Sequence, residues 1–185
     1  RIATMVVMYT LKRNSTKLLG PINRKLYASF APKRHAFAVA RREATKRGFA
    51  PGAGKLIQIV TDGDPDLATY ATEYFPEAMH TMDVMHVIEK LWTAGECCFR
   101  EGTEPLRQWI EAQKDRLYAG KADEIVAELC QRRHAIAVTG PGNKGKRERL
   151  LSVIGYLQNR LHQMPYDKII KQDLELGSGS VEGAV

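Results

Sequence analysis

Asp62 closes the apolar run Leu56-Ile57-Gln58-Ile59-Val60-Thr61, and Glu182 follows the stretch Leu176-Gly177-Ser178-Gly179-Ser180-Val181, 120 positions later. The first pattern sets a carboxylate at the end of a hydrophobic strand. The second sets one just past a glycine-serine loop, where a helix can begin. Hard carboxylate oxygens suit Mg2+ or Mn2+ rather than soft metals, and two such ions can drive in-line displacement at a phosphate ester. That chemistry requires the fold to bring the carboxylates together. No Asp precedes Asp62, and the one earlier acid is Glu43. A third carboxylate from an earlier strand is therefore not in this sequence.

Asp62-Gly63-Asp64-Pro65-Asp66 lies at a strand-to-helix junction, and ligands of open α/β sheets bind beyond the carboxyl ends of strands. Capping of the following helix is the plainer role, and it suits Asp64 or Asp66 best. In Met82-Asp83-Val84-Met85-His86, Asp83 ends a second strand and His86 lies three residues on. The pair could hold a nucleic-acid strand or tune a metal site; equally, Asp83 caps a helix and His86 packs. The basic run Asn143-Lys144-Gly145-Lys146-Arg147-Glu148-Arg149 opens a helix. Lys144, Lys146, Arg147 and Arg149 are candidates for phosphate contacts, against the commoner meaning of a solvated loop. Gly177 to Glu182 lacks the Lys that follows the glycines of a phosphate-binding loop. Trp92, Trp109 and most tyrosines fall on apolar helix faces and read as core. His35, His80, His134 and His162 are isolated and receive no role.

The elements that must position these groups follow from periodicity. Residues 2–11 read as a strand, Asn14 to Asn23 as a turn region and Arg24 to Phe30 as a second strand. Pro32 opens a helix with Phe37, Ala40 and Ala44 on one face, stopped by Gly48. Leu56 to Val60 is the continuous apolar run of a strand buried on both faces. A helix follows from the Asp62–Asp66 region to Pro76, then a strand Ala78 to Met82 and a helix Val84 to Phe99. Beyond Glu101 the pattern is wholly helical, with apolar stripes at Leu106–Ile110, Ile125–Ile136 and Leu150–Leu161. This order implies an α/β layer around a central sheet, at 1–100 and 172–185, and an all-helical block at 101–171.

The 185 residues, 44% hydrophobic and 26% charged, are enough for one core plus a helical appendage. No apolar run approaches the roughly 18–20 residues that span a bilayer, so no membrane partner is expected. No signal-peptide pattern opens the chain. Cys97, Cys98 and Cys130 form neither a disulfide framework nor a metal knuckle, which suggests a reducing, cytoplasmic setting. The net charge of +7 suggests a polyanionic partner, because thirteen Lys and Arg crowd the first third beside the lone Glu43.

Four stretches taken in order resemble DDE-type transposases of bacterial insertion sequences, of the Kra type, distant relatives of the Mutator-like group with its ribonuclease-H-like core. They are Ile59-Val60-Thr61-Asp62-Gly63, Tyr74-Phe75-Pro76-Glu77-Ala78, Met82 to Trp92, and Leu176 to Ala184. By that resemblance Asp62 matches the second catalytic Asp and Glu182 the final Glu, the two acting as ligands of two Mg2+ or Mn2+ ions. Asp83 and His86 match an accessory motif after the fifth strand. The helical block becomes the insertion between second Asp and Glu. The resemblance implies metal-dependent strand cleavage and strand transfer on DNA by a homo-oligomer. It also implies that the first, central strand and its Asp precede Arg1, so that the chain is a piece of a longer protein and inactive alone. A non-catalytic nucleic-acid-binding domain, an inactive remnant and a nuclease of the same fold remain the alternatives.

Overall fold

β1 (Thr4–Arg13), rich in β-branched residues, pairs antiparallel with β2 (Leu18–Ser29), with Thr4 opposite Ser29 and Arg13 opposite Leu18. The computed structural model describes residues 3–15 and 17–179. The chain reverses where Lys17 N–H donates to Asn14 Oδ1 at 2.7 Å and Asn14 N–H donates to Lys17 O at 3.0 Å. The expected turn over Asn14 to Asn23 is therefore shorter, and β2 runs straight through Gly20-Pro21. The register shift between Thr10 and Lys12, whose partners are Ile22 and Leu19, accommodates that dipeptide on a two-stranded edge, where a proline is tolerated, and a second shift lies between Met8 and Thr10. No described residue of either strand is fully buried.

Pro32 then leads into α1 (Lys33–Lys46). The helix closes on Gly48, whose φ of 82° suits a residue without Cβ. Gly48 N–H donates to Thr45 O and Phe49 N–H to Ala44 O, both at 2.9 Å, the paired bonds of a Schellman ending. Past a loop come β3 (Gln58–Thr61), α2 (Pro65–Tyr74) and β4 (Met79–Met82), with β3 and β4 forming a second two-stranded sheet. Among the described residues the strands thus form two separate pairs rather than one central sheet. This explains why Ile59 and Val60 are only half-buried and Leu56 exposed, where the apolar run suggests burial on both faces.

α1 and α2 enclose the core of this part: Phe37 meets Tyr70 and Tyr74 at ring-centroid distances of 5.9 and 6.3 Å, beside buried Ala71 and Phe75. Ion pairs rim the same contact. Arg34 meets Glu73 at 2.6 Å, Arg41 meets Glu77 at 2.5 Å, and Lys25 and Arg47 share Glu43. The basic first third, nearly without acids in sequence, acquires them in space.

The chain divides into two compact units, one of residues up to Thr81 together with those from Asp173 onward, the other Met82–Gln172. The second unit is helical: α3 (Val84–Gly95), α4 (Glu104–Tyr118), α5 (Ala122–Ala135), α6 (Asn143–Gln158) and α7 (Tyr166–Lys171), with a short 3-10 turn at Leu161–Gln163. The α3 helix groups with these helices, although the sequence partition sets it with the α/β part. The architecture is mixed α/β, with seven α-helices and two two-stranded sheets among the described residues. No helix among them is long and apolar enough to cross a membrane.

Leu91, Leu106, Ile110, Leu117, Ile125, Leu129, Leu150 and Ile169 make the helical core, each at most 1% exposed. Glu128 ties α4 to α5, accepting from Trp109 Nε1 at 2.8 Å, Arg132 Nε at 2.6 Å and Arg116 Nη1 at 2.5 Å. Burial alone would raise its carboxyl; those hydrogen bonds outweigh burial and hold it below the usual range.

Tyr166 is fully buried, and its hydroxyl donates to Met82 O at 2.9 Å. Burial pushes its phenol well above the ordinary tyrosine range, and the Asp83 carboxylate adds to the rise. Tyr166→Phe is expected to cost about 0.5–1.5 kcal/mol, read from urea unfolding. Because the folded-state pKa is raised, this stability is fully present below the ordinary value near 10 and is lost as pH rises above it. Between about pH 8 and about pH 11 the wild type should lose more stability than the Phe variant.

Candidate active site

β3 ends on buried Thr61, and the next residue, Asp62, is exposed at the strand's carboxyl end. The backbone turns through Gly63, with φ of 85°, so that Asp62 Oδ1 accepts the N–H of Asp64 at 3.0 Å. Asp64 is the N-cap of α2: its Oδ1 accepts from Asp66 N–H at 2.9 Å, and Pro65 opens the helix. The Lys33 ammonium pairs with Asp64 and, at 3.0 Å, with Asp66. The hydrogen bond from Lys33 is the chief reason the Asp64 carboxyl lies below its ordinary value. Of the three acids in the motif, two are thus engaged by Lys33, and Asp62 is the one carried at the strand end.

Polar side chains brace β3 against β4. Thr61 Oγ1 lies 2.8 Å from His80 Nε2, and Gln58 Nε2 donates to Thr81 Oγ1 at 3.0 Å. The same Gln58 amide reaches 117 residues along the chain. Its Nε2 donates to Glu175 O at 2.7 Å, and its Oε1 accepts from Glu175 N–H at 3.1 Å. A side-chain amide carries one donor face and one acceptor face, so it pairs with a backbone residue as a neighbouring strand would. Arg13 adds an ion pair to Asp173 at 3.5 Å. The segment that leads into Gly177-Ser178-Gly179 is therefore docked on the strand that leads into Asp62.

Glu182 lies outside the described residues. Asp83 is 2% exposed and is the N-cap of α3, its Oδ1 accepting from Met85 N–H at 2.8 Å. His86 sits one turn on, its Nδ1 3.2 Å from Glu89 Oε2 at the surface. Both therefore open α3, but their side chains make different contacts. Lys144 pairs with Glu148 at 4.0 Å, and Lys146 and Arg149 are exposed on α6. Arg147 turns the other way: its Nη1 donates to Arg133 O at 2.8 Å and Ile136 O at 2.6 Å, satisfying carbonyls at the end of α5.

Among the described residues no three His, Cys, Asp or Glu side chains gather as a metal ion requires. Asp62 has the donor chemistry for a hard divalent ion, but by itself it makes no cage. Compared with known proteins, the chain matches no family model, no curated protein and no solved structure.

Sequence reasoning passes over Gln58, Thr81 and His80. One signal for Gln58 was present: it is the single polar residue inside Leu56-Ile57-Gln58-Ile59-Val60. An amide in an otherwise apolar strand needs partners, and these turn out to be far away in sequence. Gln58→Leu removes both bonds to Glu175 and is expected to cost about 1–3 kcal/mol. Hydrogen exchange at residues 173–179 should accelerate far more than exchange in the helical unit. Unchanged protection of that segment would contradict the docking role.

Proposed function

We propose that this chain is part of a DDE-type DNA transposase with a ribonuclease-H-like core, in which Asp62 and Glu182 are catalytic carboxylates. The observation that carries this reading is the reciprocal pairing of Gln58 with Glu175. It joins the strand four residues before Asp62 to the segment seven residues before Glu182, across the whole helical unit. Such a return is what a site built from two remote carboxylates needs.

Two further features support it. The helical unit Met82–Gln172 falls between the two acids, in the place of an insertion. Two strand pairs are also what a sheet leaves on either side when its central strand is taken away. The order hairpin, α1, β3, α2, β4, α3 is compatible with that reading.

Divalent ions held by these carboxylates would activate water or a 3′-hydroxyl and stabilise the departing oxygen. The chain's own contribution is to fix where Asp62 stands. The β3 strand, the Gly63 turn and the Asp64 N–H hold it at the sheet's end, while Lys33 occupies the neighbouring acids. Asp62→Asn in the natural protein is expected to abolish Mg2+- or Mn2+-dependent strand cleavage of transposon-end DNA and leave DNA affinity largely intact. Cleavage by the Asn variant at the wild-type rate would sink the assignment. Joining of a 3′ end to target DNA separates a transposase from a nuclease of the same fold.

A further inference from the structure

We infer that the groove between α3 and α6 is a binding track for the phosphate backbone of DNA, with Lys90 and Arg149 as its principal contacts. This rests on the reading of the protein as one that acts on DNA. A cleft of about 120 Å³ opens there, lined by Lys90 and Thr93 of α3 and by Arg149, Ser152, Val153 and Tyr156 of α6. Neither Lys90 nor Arg149 has a carboxylate partner among the described residues. The acids next to them in sequence are engaged elsewhere: Glu89 faces His86, and Glu148 pairs with Lys144.

Two cations converging on one cleft without acids repel each other, so the arrangement favours an anion between them. The Tyr156 ring holds Lys90 in place and carries a further cation, Arg160. Lys90 Nζ lies 5.0 Å from its centroid and Arg160 Cζ 4.1 Å, and Arg160 Nη1 also donates to Tyr156 O at 3.0 Å. The Ser152 hydroxyl lines the same cleft and adds a hydrogen-bonding group of the kind that phosphate oxygens accept from.

The spacing points to a polymer rather than a single anion. Lys146, Arg149, Val153, Tyr156 and Arg160 follow each other at three- and four-residue steps, which is one face of a helix, and Ser152 flanks that row. Lys146 and Arg149 both lie near buried Cys97 on the α3 side; burial raises that thiol, and the two cations oppose the rise. A rise of about 1.5 Å per residue sets Lys146 and Tyr156 roughly 15 Å apart, a length of duplex axis over which one strand carries about four phosphates. A lone phosphate would use only one step of such a row.

The test measures affinity of the natural protein for a fluorescent DNA duplex of arbitrary sequence across a salt series. The double variant Lys90→Gln, Arg149→Gln should bind about tenfold more weakly or worse, with a log–log salt slope shallower by about two. Lys121→Gln, an exposed cation before α5 paired to Glu124 at 3.3 Å, should change neither quantity and controls for lost charge alone. The charge-preserving pair Lys90→Arg, Arg149→Lys should retain most of the binding, and it also shows that the groove tolerates substitution. Wild-type affinity and slope in the double Gln variant overturn the inference. So does displacement of the duplex by inorganic phosphate at constant ionic strength, which would mark a free-anion pocket. Loss of the groove while Asp62→Asn still abolishes cleavage removes this inference alone; an intact groove with full cleavage by Asp62→Asn removes only the catalytic reading.

Discussion

The arrangement around Asp62 depends on one side-chain amide. Gln58 sits within a short strand that has one neighbouring strand among the described residues, and its donor and acceptor both close on the backbone of Glu175. Returning a chain to its starting sheet after some ninety residues of helix costs loop-closure entropy, which grows slowly with length and must be offset by contacts at the point of return. Here that contact is directional and two-sided, so it fixes register as well as proximity. A purely apolar contact would hold the segment close without fixing its register. The carboxylate chemistry proposed for the site has meaning only because of this docking.

A second constraint operates at the strand-to-helix junctions. The first backbone N–H groups of any helix lack intrahelical acceptors. Asp64 and Asp83 supply them for α2 and α3, and each is committed to that duty. Asp62 stands one turn earlier, exposed, on the strand side of Gly63. Three carboxylates of the same type in five residues thus have different fates, set by backbone position and by Lys33. The basic residues divide in the same way. Lys33, Arg34 and Arg41 are neutralised by acids of the α2 region, and Arg147 is spent on carbonyls of α5, whereas Lys90 and Arg149 are left to a cleft.

Most of the elements were legible from periodicity and punctuation. Gly48 ends α1, Pro65 opens α2, Asp83 opens α3, and the apolar stripes of α4 to α6 fall where their spacing sets them. What was not legible came from pairing between distant segments. The turn between β1 and β2 is shorter than Gly20-Pro21 suggests because a register shift, invisible in one strand's composition, absorbs the dipeptide. Burial of β3 was overestimated because an apolar run states a strand's preference and not how many layers cover it. The charge asymmetry of the first third was a property of chain order that folding partly cancels, through the acids that meet Arg13, Lys25, Lys33, Arg34, Arg41 and Arg47. The candidate site was legible at Asp62 and Asp83 as residues, but the Gln58 clamp depends on a contact 117 positions away.

The central claim is that Asp62 and Glu182 serve one divalent-ion site, with Gln58 returning the chain to it. The most direct measurement replaces Mg2+ by Fe2+ in the natural protein and adds ascorbate and peroxide, so that hydroxyl radicals formed at the bound iron cut the nearby backbone. The account predicts cuts beside both Asp62 and Glu182, both suppressed by excess Mg2+ and both lost in Asp62→Asn. Cutting confined to other segments, or cuts at either place that persist in Asp62→Asn, would contradict it.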